Sequence, residues 1–182
     1  TSINQITQML DRLLLVDRPP TDQISCNLQT ADLVQWCQTL MDELQAANHQ
    51  HQLKFTAEIV QPAVAQAAFD TKLLRQVLCN VVSNAIKYSE PTTRVELSLR
   101  LCEESLCFSL KDEGIGIPEE EQALVFQPFY RSKNANHVAG TGLGLTIARR
   151  FATLQGGYIR LTSQIAQGTQ VDIVLPNQRP SK

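Results

Sequence analysis

The segment spanning residues 70–88 constrains the fold most, because its apolar residues recur at the spacing of an amphipathic α-helix. Five of them fall on one meridian of that helix: Leu74, Leu78, Val81, Val82 and Ala85. We predict that this meridian faces the core. A second stripe begins with Leu73 and Val77 and continues as Asn80, Asn84 and Lys87, which are spaced by four and three residues.

The second stripe of this helix is apolar at one end and polar and cationic at the other. A nucleotide has the same polarity, since its flat base is followed by phosphates. The side-chain oxygen of Asn84 can bind Mg²⁺, which prefers hard oxygen ligands, and Lys87 can meet a phosphate. The alternative is a solvated helix face with two incidental asparagines, although Asn is a poor residue inside a helix and two of them four residues apart call for an explanation.

The remaining periodicities predict an α+β fold. Helical spacing recurs over residues 31–48 and 143–154, and Pro118 starts a further helical stretch. Alternating apolar residues predict strands at 24–28 and 53–60, with hairpins that pair 94–101 with 106–111 and 158–163 with 170–175. Three long helices and five or more strands, mostly in hairpins, are typical of helices layered on one sheet.

Residues 1–20 form a separate short helix and linker in this interpretation. Ile3, Ile6, Leu10 and Leu13 make a heptad-like seam, which ends before Pro19. Two heptads are too short to be stable alone, so we expect docking on a partner helix, in this chain or in a second copy. The alternative is a plain surface helix. Because the chain begins at Thr1 without an initiator Met, we expect it to be a piece of a longer protein.

Composition and charge exclude several classes of protein. The 182 residues are 43% apolar with a formal net charge of −2, which is ordinary for one globular domain and gives no electrostatic reason to expect a nucleic acid partner. No run is long and apolar enough to span a membrane. We expect the chain to be cytoplasmic, within a parent that is either soluble or membrane-anchored. The five cysteines form no CxxC pair, so we expect reduced thiols rather than a zinc or redox site.

Two glycine-containing motifs supply further candidate binding residues. Asp112 ends an apolar strand just before Gly114 and Gly116, where its carboxylate can accept the exocyclic amine of a base; the alternative is a plain turn. The run from Gly140 to Gly144 opens a helix, and backbone N–H groups at such a start bind phosphates. A flexible hinge is a compatible interpretation of this run, which is neither a Walker loop nor a dinucleotide fingerprint.

An aromatic motif precedes a polar segment at residues 131–142, which we expect to be a mobile loop. Phe126 and Phe129 are expected to anchor that loop by hydrophobic packing. Arg131 follows them directly, and its guanidinium can reach a terminal phosphate when the loop closes.

Together and in this order, these motifs resemble the catalytic ATP-binding domain of sensor histidine kinases. The resemblance covers about residues 22–176 and rests on the four boxes of that family, which are here residues 70–89, Asp112-x-Gly114-x-Gly116-Ile117, Phe126-x-x-Phe129-Tyr130-Arg131 and Gly140-Thr141-Gly142-Leu143-Gly144-Leu145. Residues 10–18 are similar to the end of the second dimerisation helix of these kinases. The resemblance therefore implies the end of that helix and a linker at 1–20, and a catalytic ATP-binding domain at 21–182.

The resemblance also implies a fold, cofactors and site residues. The fold is a two-layer α/β sandwich of the Bergerat or GHKL type, with a mixed, mostly antiparallel sheet covered on one face by three helices. The cofactors are ATP and Mg²⁺, with Asn84 as the metal ligand and residues 131–142 as the ATP lid. The implied catalytic residues are Asn80, Asn84, Lys87 and Arg131. The implied nucleotide-binding residues are these four together with Tyr88, Asp112, Gly114, Gly116, Ile117, Tyr130, Gly140, Thr141, Gly142, Leu143 and Gly144.

One departure from the wider superfamily bears on the reaction. Its ATPases have a Glu general base where this chain has Asn80, and an amide cannot activate water. The resemblance therefore implies an ATP-dependent protein-histidine kinase that phosphorylates the dimerisation domain of the same kinase. A response regulator would act downstream, the parent would be a homodimer, and no nucleic acid is involved.

A second departure concerns the phosphate acceptor. None of His49, His51 and His137 lies in the sequence context of the family's phosphoacceptor box, so we expect the chain to bind Mg-ATP without phosphorylating itself. Three alternatives stay open: a nucleotide-binding regulatory module, a GHKL-type ATPase without kinase activity, and a docking surface for a response regulator or sensor domain.

Overall fold

A computed structural model of the chain describes residues 26–60, 66–135 and 138–177. The predicted helix and linker at residues 1–20 therefore lie outside the described residues, and so do the first two residues of the predicted strand at 24–28. Within the described ranges, no helix combines the length and the apolar character that crossing a bilayer requires.

Seven strands form two sheets in the described residues. They are β1 (Gln29–Asp32), β2 (Gln52–Ile59), β3 (Gln66–Phe69), β4 (Arg94–Leu101), β5 (Ser105–Asp112), β6 (Tyr158–Gln164) and β7 (Gly168–Pro176). The large sheet has the order β2-β4-β5-β7-β6; β2 and β4 are parallel and the other pairs are antiparallel. β1 and β3 form a separate antiparallel pair. The predicted mixed, mostly antiparallel sheet is confirmed.

The small sheet corrects two expectations. The first strand lies at Gln29–Asp32 rather than at 24–28, and β3 was not predicted at all. Both strands have four residues, which is too short for a clear alternating pattern. β1 is exposed or half-buried along its length, whereas three residues of β3 are buried, so the apolar signal of β1 is weak.

The described residues contain three α-helices: α1 (Leu33–Ala47), α2 (Thr71–Tyr88) and α3 (Gly144–Leu154). α1 and α2 begin at aspartates whose carboxylates accept backbone N–H groups of the first turn. Asp32 accepts from Gln35, and Asp70 accepts from the amides of Lys72 and Leu73. Leu143 precedes α3 and provides no side-chain cap, so the first N–H groups of α3 have no capping side chain.

The helical stretch expected near Pro118 is present. It consists of two 3₁₀ turns, Glu119–Glu121 and Leu124–Phe126, rather than an α-helix. Pro128 lies soon after the second turn and cannot donate a helical hydrogen bond, so the segment between the two prolines has room for little more than two turns.

The core lies between one face of the large sheet and the helices. Along β4 the buried residues alternate with exposed or half-buried ones, as expected for a sheet with one covered face. On the opposite face, ion pairs join Lys54 to Glu96 at 3.1 Å and Arg100 to Glu58 at 3.6 Å. The three helices thus cover a single face of the sheet, which confirms the predicted α+β sandwich.

The predicted core face of α2 is confirmed, and it explains how the helix presents its polar stripe. All five residues of the predicted meridian are no more than 3% exposed: Leu74, Leu78, Val81, Val82 and Ala85. Leu73 and Val77 are buried as well, so the apolar part of the second stripe belongs to the core. The stripe leaves the core at Asn80, where the helix becomes the wall of a cavity.

The cysteines carry no disulfide in the described structure. Cys37 is fully buried in α1, and burial raises the pKa of its thiol to about 12. A thiol with such a high pKa is protonated and unreactive at neutral pH, in keeping with a small core residue.

Candidate functional site

A cavity of about 290 Å³ lies between α2, the start of α3 and the ends of β5 and β7. Most of the residues singled out from the sequence line it: Asn80, Asn84, Lys87, Tyr88, Asp112, Gly116, Ile117, Tyr130, Arg131, Gly140, Thr141, Gly142 and Gly144. Gly114 and Leu143 do not line it. Four segments that are far apart in the sequence therefore meet around one space.

The two asparagines of α2 face the beginning of α3. The Asn80 side chain is 8% exposed, and its Nδ2 donates to the Gln76 carbonyl at 2.7 Å, which leaves the amide oxygen toward the cavity. A Cβ placed on Gly144 would lie 3.3 Å from both terminal atoms of the Asn84 amide and 3.6 Å from Asn80 Oδ1. The glycine thus lets the uncapped N-terminus of α3 approach both asparagines closely. Backbone N–H groups and amide oxygens then share one end of the cavity.

Lys87 supplies a positive charge at the same end. Its Nζ lies 3.1 Å from the Tyr88 hydroxyl and 4.7 Å from the centre of the Tyr88 ring. A Cβ on Gly140 would collide with Lys87 Nζ, so the backbone of the glycine-rich segment passes directly over the ammonium group. Amide oxygens, N–H groups and a cation at one end form an environment suited to phosphates and their counterions.

Asp112 occupies the opposite end and is 7% exposed. Its Oδ1 accepts two backbone hydrogen bonds, from the Gly114 amide at 2.8 Å and from the Thr169 amide at 3.1 Å. Burial raises the pKa of this carboxyl above its ordinary value, although the two amides act in the opposite direction. A Cβ on Gly114 would lie 2.6 Å from the Tyr88 carbonyl and 2.9 Å from Asp112 Oδ1, so Gly114 supports Asp112 from behind.

The turn after Asp112 is held by the β6–β7 hairpin. Gly116 has a φ of 71°, and a Cβ there would collide with the Gln164 carbonyl, so both the conformation and the close approach require glycine. The Ile117 amide donates to Ser163 Oγ at 2.8 Å. Thr169, at the start of β7, also lines the cavity.

Sequence reasoning missed Ser163 and Thr169. Both lie in a predicted hairpin, where serine and threonine are common, and the contact that joins each of them to the turn after Asp112 or to Asp112 itself spans more than forty positions. The one available signal in the sequence was the turn at Gly168, directly before Thr169. It located this end of the hairpin but did not show that the turn after Asp112 lies beside it.

The described part of the segment at residues 131–142 contains a short helical turn and internal hydrogen bonds. Residues 133–135 form a 3₁₀ turn, and Arg131 Nη2 donates to the carbonyls of Ala135, at 3.0 Å, and Val138. The guanidinium thus braces its own loop as well as lining the cavity. His137, which the sequence placed in this loop, lies outside the described residues.

Glu121 joins the root of this loop to the preceding 3₁₀ turn. It is 4% exposed, and its Oε2 accepts from the Lys133 amide at 3.2 Å. Hydrogen bonds from the Ser132 hydroxyl, the Lys133 amide and the Tyr130 hydroxyl lower the pKa of Glu121. The pKa of Tyr130 is raised, first by burial and then by the charge of Glu121. The sequence showed Glu121 only as one of three consecutive acidic residues.

Comparison with protein families identifies the class to which this fold and cavity belong. The family model described as "Histidine kinase-, DNA gyrase B-, and HSP90-like ATPase" matches residues 69–179. The match covers more than half of the chain, and the chain belongs to this family. The described cavity is therefore that of an ATP-binding domain.

Relatives narrow the class further. The chain is 40% identical over 111 residues to the circadian input-output histidine kinase CikA of Synechococcus elongatus, covering 60% of this chain and 15% of that protein. It is 31% identical over 176 residues to the sensor histidine kinase WalK of Bacillus subtilis, covering 94% of this chain and 28% of that protein. The chain thus spans less than a third of the length of either relative.

Solved structures agree with the sequence relatives. A mycobacterial sensor histidine kinase structure, MprB, matches with a TM-score of 0.69 and 27% identity, covering 85% of this chain and all of that one. The fold expected from the four boxes is confirmed, and so is the resemblance to the catalytic domain of sensor histidine kinases.

Proposed function

We propose that this chain binds Mg-ATP in the cavity and directs the γ-phosphoryl group to a histidine of a dimerisation domain in the same kinase. The observation that carries the proposal is the polarity of one cavity, with a buried carboxylate at one end and amide oxygens, an ammonium group and uncapped N–H groups at the other. We further propose that residues 21–182 form the catalytic domain, and that residues 1–20 end the second dimerisation helix and lead into it.

Asp112 is the proposed acceptor for the adenine amine. Both hydrogen bonds that it receives within the described residues end on Oδ1. Oδ2 is then available to accept a hydrogen bond from a ligand. Gly116 and Ile117 line the same end of the cavity as apolar and backbone surface for the base.

Asn84 is the proposed protein ligand for Mg²⁺. The described residues contain no group of three His, Cys, Asp or Glu side chains that could hold a metal ion. An amide oxygen on α2 fits Mg²⁺ nevertheless, because this ion keeps several waters and takes further oxygens from substrate phosphates. When bound, Mg²⁺ would neutralise phosphate charge.

The other residues at this end bind and orient the triphosphate. Lys87 and Tyr88 contact phosphate and nucleotide, Asn80 assists from one helical turn before Asn84, and the amides of Gly142 and Gly144 donate to phosphate oxygens. Thr141 and Tyr130 line the wall. Arg131 reaches the γ-phosphate by exchanging its loop carbonyls for phosphate oxygens, which are charged and therefore stronger acceptors.

The reaction proposed is phosphoryl transfer rather than hydrolysis. The bond between the γ-phosphorus and its bridging oxygen breaks, a bond to an imidazole nitrogen forms, and ADP and a proton are released. Asn80 takes the position of the general base that activates water in the ATPases of the superfamily. Its amide cannot accept a proton from water. Catalysis then comes from positioning and from neutralisation of charge.

The acceptor and later partners lie beyond this chain in the proposal. The parent is a homodimer whose dimerisation domain carries the phosphoacceptor histidine, and a response regulator receives the phosphoryl group afterwards. WalK and CikA are both named as histidine kinases, which supports this part of the proposal.

The proposal is tested with γ-labelled ATP and two protein components. Alone, the chain is expected to bind Mg-ATP by calorimetry and to acquire no acid-labile label. With the histidine-bearing dimerisation domain of its parent, label is expected on that domain, and the Asn84→Ala chain is the matched control. Steady phosphate release without transfer would make the chain an ATPase, and binding without either reaction would make it a regulatory module.

A further inference from the structure

One end of the cavity, here called the base end, contains Asp112, Gly116, Ile117 and Thr169. Ser163 links parts of this end through a single hydroxyl group. Its Oγ accepts from the Ile117 amide at 2.8 Å, donates to the Gly168 carbonyl at 2.8 Å and lies 2.8 Å from Thr169 Oγ1. Ser163 does not line the cavity, whereas Ile117 and Thr169 do. The hydroxyl therefore acts on a ligand through its neighbours.

The number of protons fixes the direction of the hydrogen bond between Ser163 and Thr169. A serine hydroxyl has one proton and two lone pairs. The proton of Ser163 goes to the Gly168 carbonyl, which can only accept, and one lone pair receives the Ile117 amide. The remaining lone pair must receive the proton of Thr169. The Thr169 hydroxyl can then only accept further hydrogen bonds, and Thr169 lines the cavity.

Four of the backbone donors at this end are also in use. The amides of Gly114 and Thr169 donate to Asp112 Oδ1, the Ile115 amide donates to the Tyr88 carbonyl at 3.0 Å, and the Ile117 amide donates to Ser163. The carboxylate of Asp112 and the hydroxyl of Thr169 are both acceptors. Asp112 and Thr169 thus offer acceptors to a ligand that brings its own donors.

We propose that Ser163 is a specificity-determining positioning residue, which keeps Thr169 an acceptor and so favours a 6-aminopurine over a 6-oxopurine. The inference rests on the proposed binding of ATP in this cavity. A 6-oxo group would place an acceptor where the amine supplies donors, and facing acceptors leave buried polar groups unpaired. Without Ser163, the Thr169 hydroxyl can rotate and donate its proton to a 6-oxo group.

The experiment measures dissociation constants for Mg-ATP and Mg-ITP by calorimetry, and the readout is the ratio of the ITP constant to the ATP constant. Ser163→Ala is expected to reduce this ratio by about tenfold, the effect of one reversed hydrogen bond. Ser163→Thr retains the hydroxyl and is expected to keep the ratio. Ser109→Ala removes a serine hydroxyl that donates to Asp172 on the other face of the sheet, and it controls for the loss of a sheet hydroxyl.

A second position keeps the proposal testable if Ser163→Ala does not fold. Thr169→Val removes the acceptor itself and is expected to lower the same ratio. The double variant, Ser163→Ala with Thr169→Val, is expected to match Thr169→Val alone, because Ser163 acts through Thr169. An unchanged ratio in both single variants, with ATP and ITP weakened alike, would overturn the inference while leaving the proposed function intact. Failure of the unsubstituted chain to bind ATP would overturn both.

Discussion

The two ends of the cavity differ in how many of their polar groups already have protein partners. At the base end, Asp112 and Ser163 accept hydrogen bonds from three backbone N–H groups, so the local backbone is fixed by hydrogen bonds among three chain segments. The other end, here called the phosphate end, contains Asn84, Lys87 and the start of α3. There the Asn84 amide makes no hydrogen bond within the described residues, and Lys87 has one, to its neighbour Tyr88. The first end is pre-organised, and the second leaves the Asn84 amide and most of the donors of Lys87 available.

This difference indicates that the two ends of the cavity have different functions. Pre-organised acceptors discriminate between bases, because a wrong ligand leaves them unpaired and they cannot move to compensate. Amide and cationic side chains that have few protein partners can adjust to the triphosphate and its counterion as negative charge is redistributed during the reaction. We therefore expect substitutions at the base end to change which nucleotide binds, and substitutions at the phosphate end to change what happens to it.

The largest effect is expected from Asn84→Ala. Loss of the proposed Mg²⁺ ligand should reduce phosphoryl transfer from ATP by about a hundredfold or more, while the fold is retained because Asn84 is only half-buried. Transfer assays and circular dichroism measure the two quantities. Asn84→Asp retains an oxygen ligand and is the matched control, expected to preserve Mg²⁺-dependent binding. Unchanged affinity for Mg-ATP in Asn84→Ala would contradict the metal assignment.

A smaller and different effect is expected from Asp112→Ala. Removal of the acceptor for the amine should weaken ATP and ADP by the same factor, about tenfold to a hundredfold, because the two nucleotides share their base. Calorimetry with both nucleotides measures the factors, and Asp172→Ala on the uncovered face of the sheet is the control. A loss confined to ATP would contradict the division between the ends.

The pKa of Asp112 adds a pH dependence to the same end. Since its pKa is raised by burial, the carboxyl takes up a proton at a higher pH than an exposed aspartate does. Protonation removes the charge that attracts the amine. The affinity for ATP and ADP should therefore fall together as the pH is lowered through this raised pKa.

Periodicity predicted the parts of the site that lie on regular elements. The spacing of Leu74, Leu78 and Ala85 fixed the core face of α2, and this orientation in turn placed Asn80 and Asn84 on the cavity wall. The glycines were found because close approach of backbones requires them. Gly142, for example, has a φ of 71°, and a Cβ there would lie 2.7 Å from the carbonyl carbon of Phe129.

Other parts could not be predicted, because their roles arise from contacts between distant segments. Ser163 meets Ile117 across 46 positions, and no local spacing reports that distance. Arg131 was expected to face a phosphate, but its bonds to Ala135 and Val138 depend on the path of the loop. β3 is short, and its partner β1 lies 34 or more positions earlier in the sequence, so neither strand alone carries a clear pattern.

The smallest effect is expected from Glu121→Gln, at the root of the loop that contains Arg131. The folded pKa of Glu121 lies below its ordinary value of 4.5, so its contribution to stability is fully present above that value and is lost as the pH falls through the lower folded pKa. Glu121→Gln should therefore lower the melting temperature slightly at neutral pH. It should not lower the melting temperature at a pH below the folded pKa of Glu121. Melting curves across this range measure the difference, with exposed Glu120→Gln as the control. A deficit that persisted at low pH would show that Glu121 acts by packing rather than by charge.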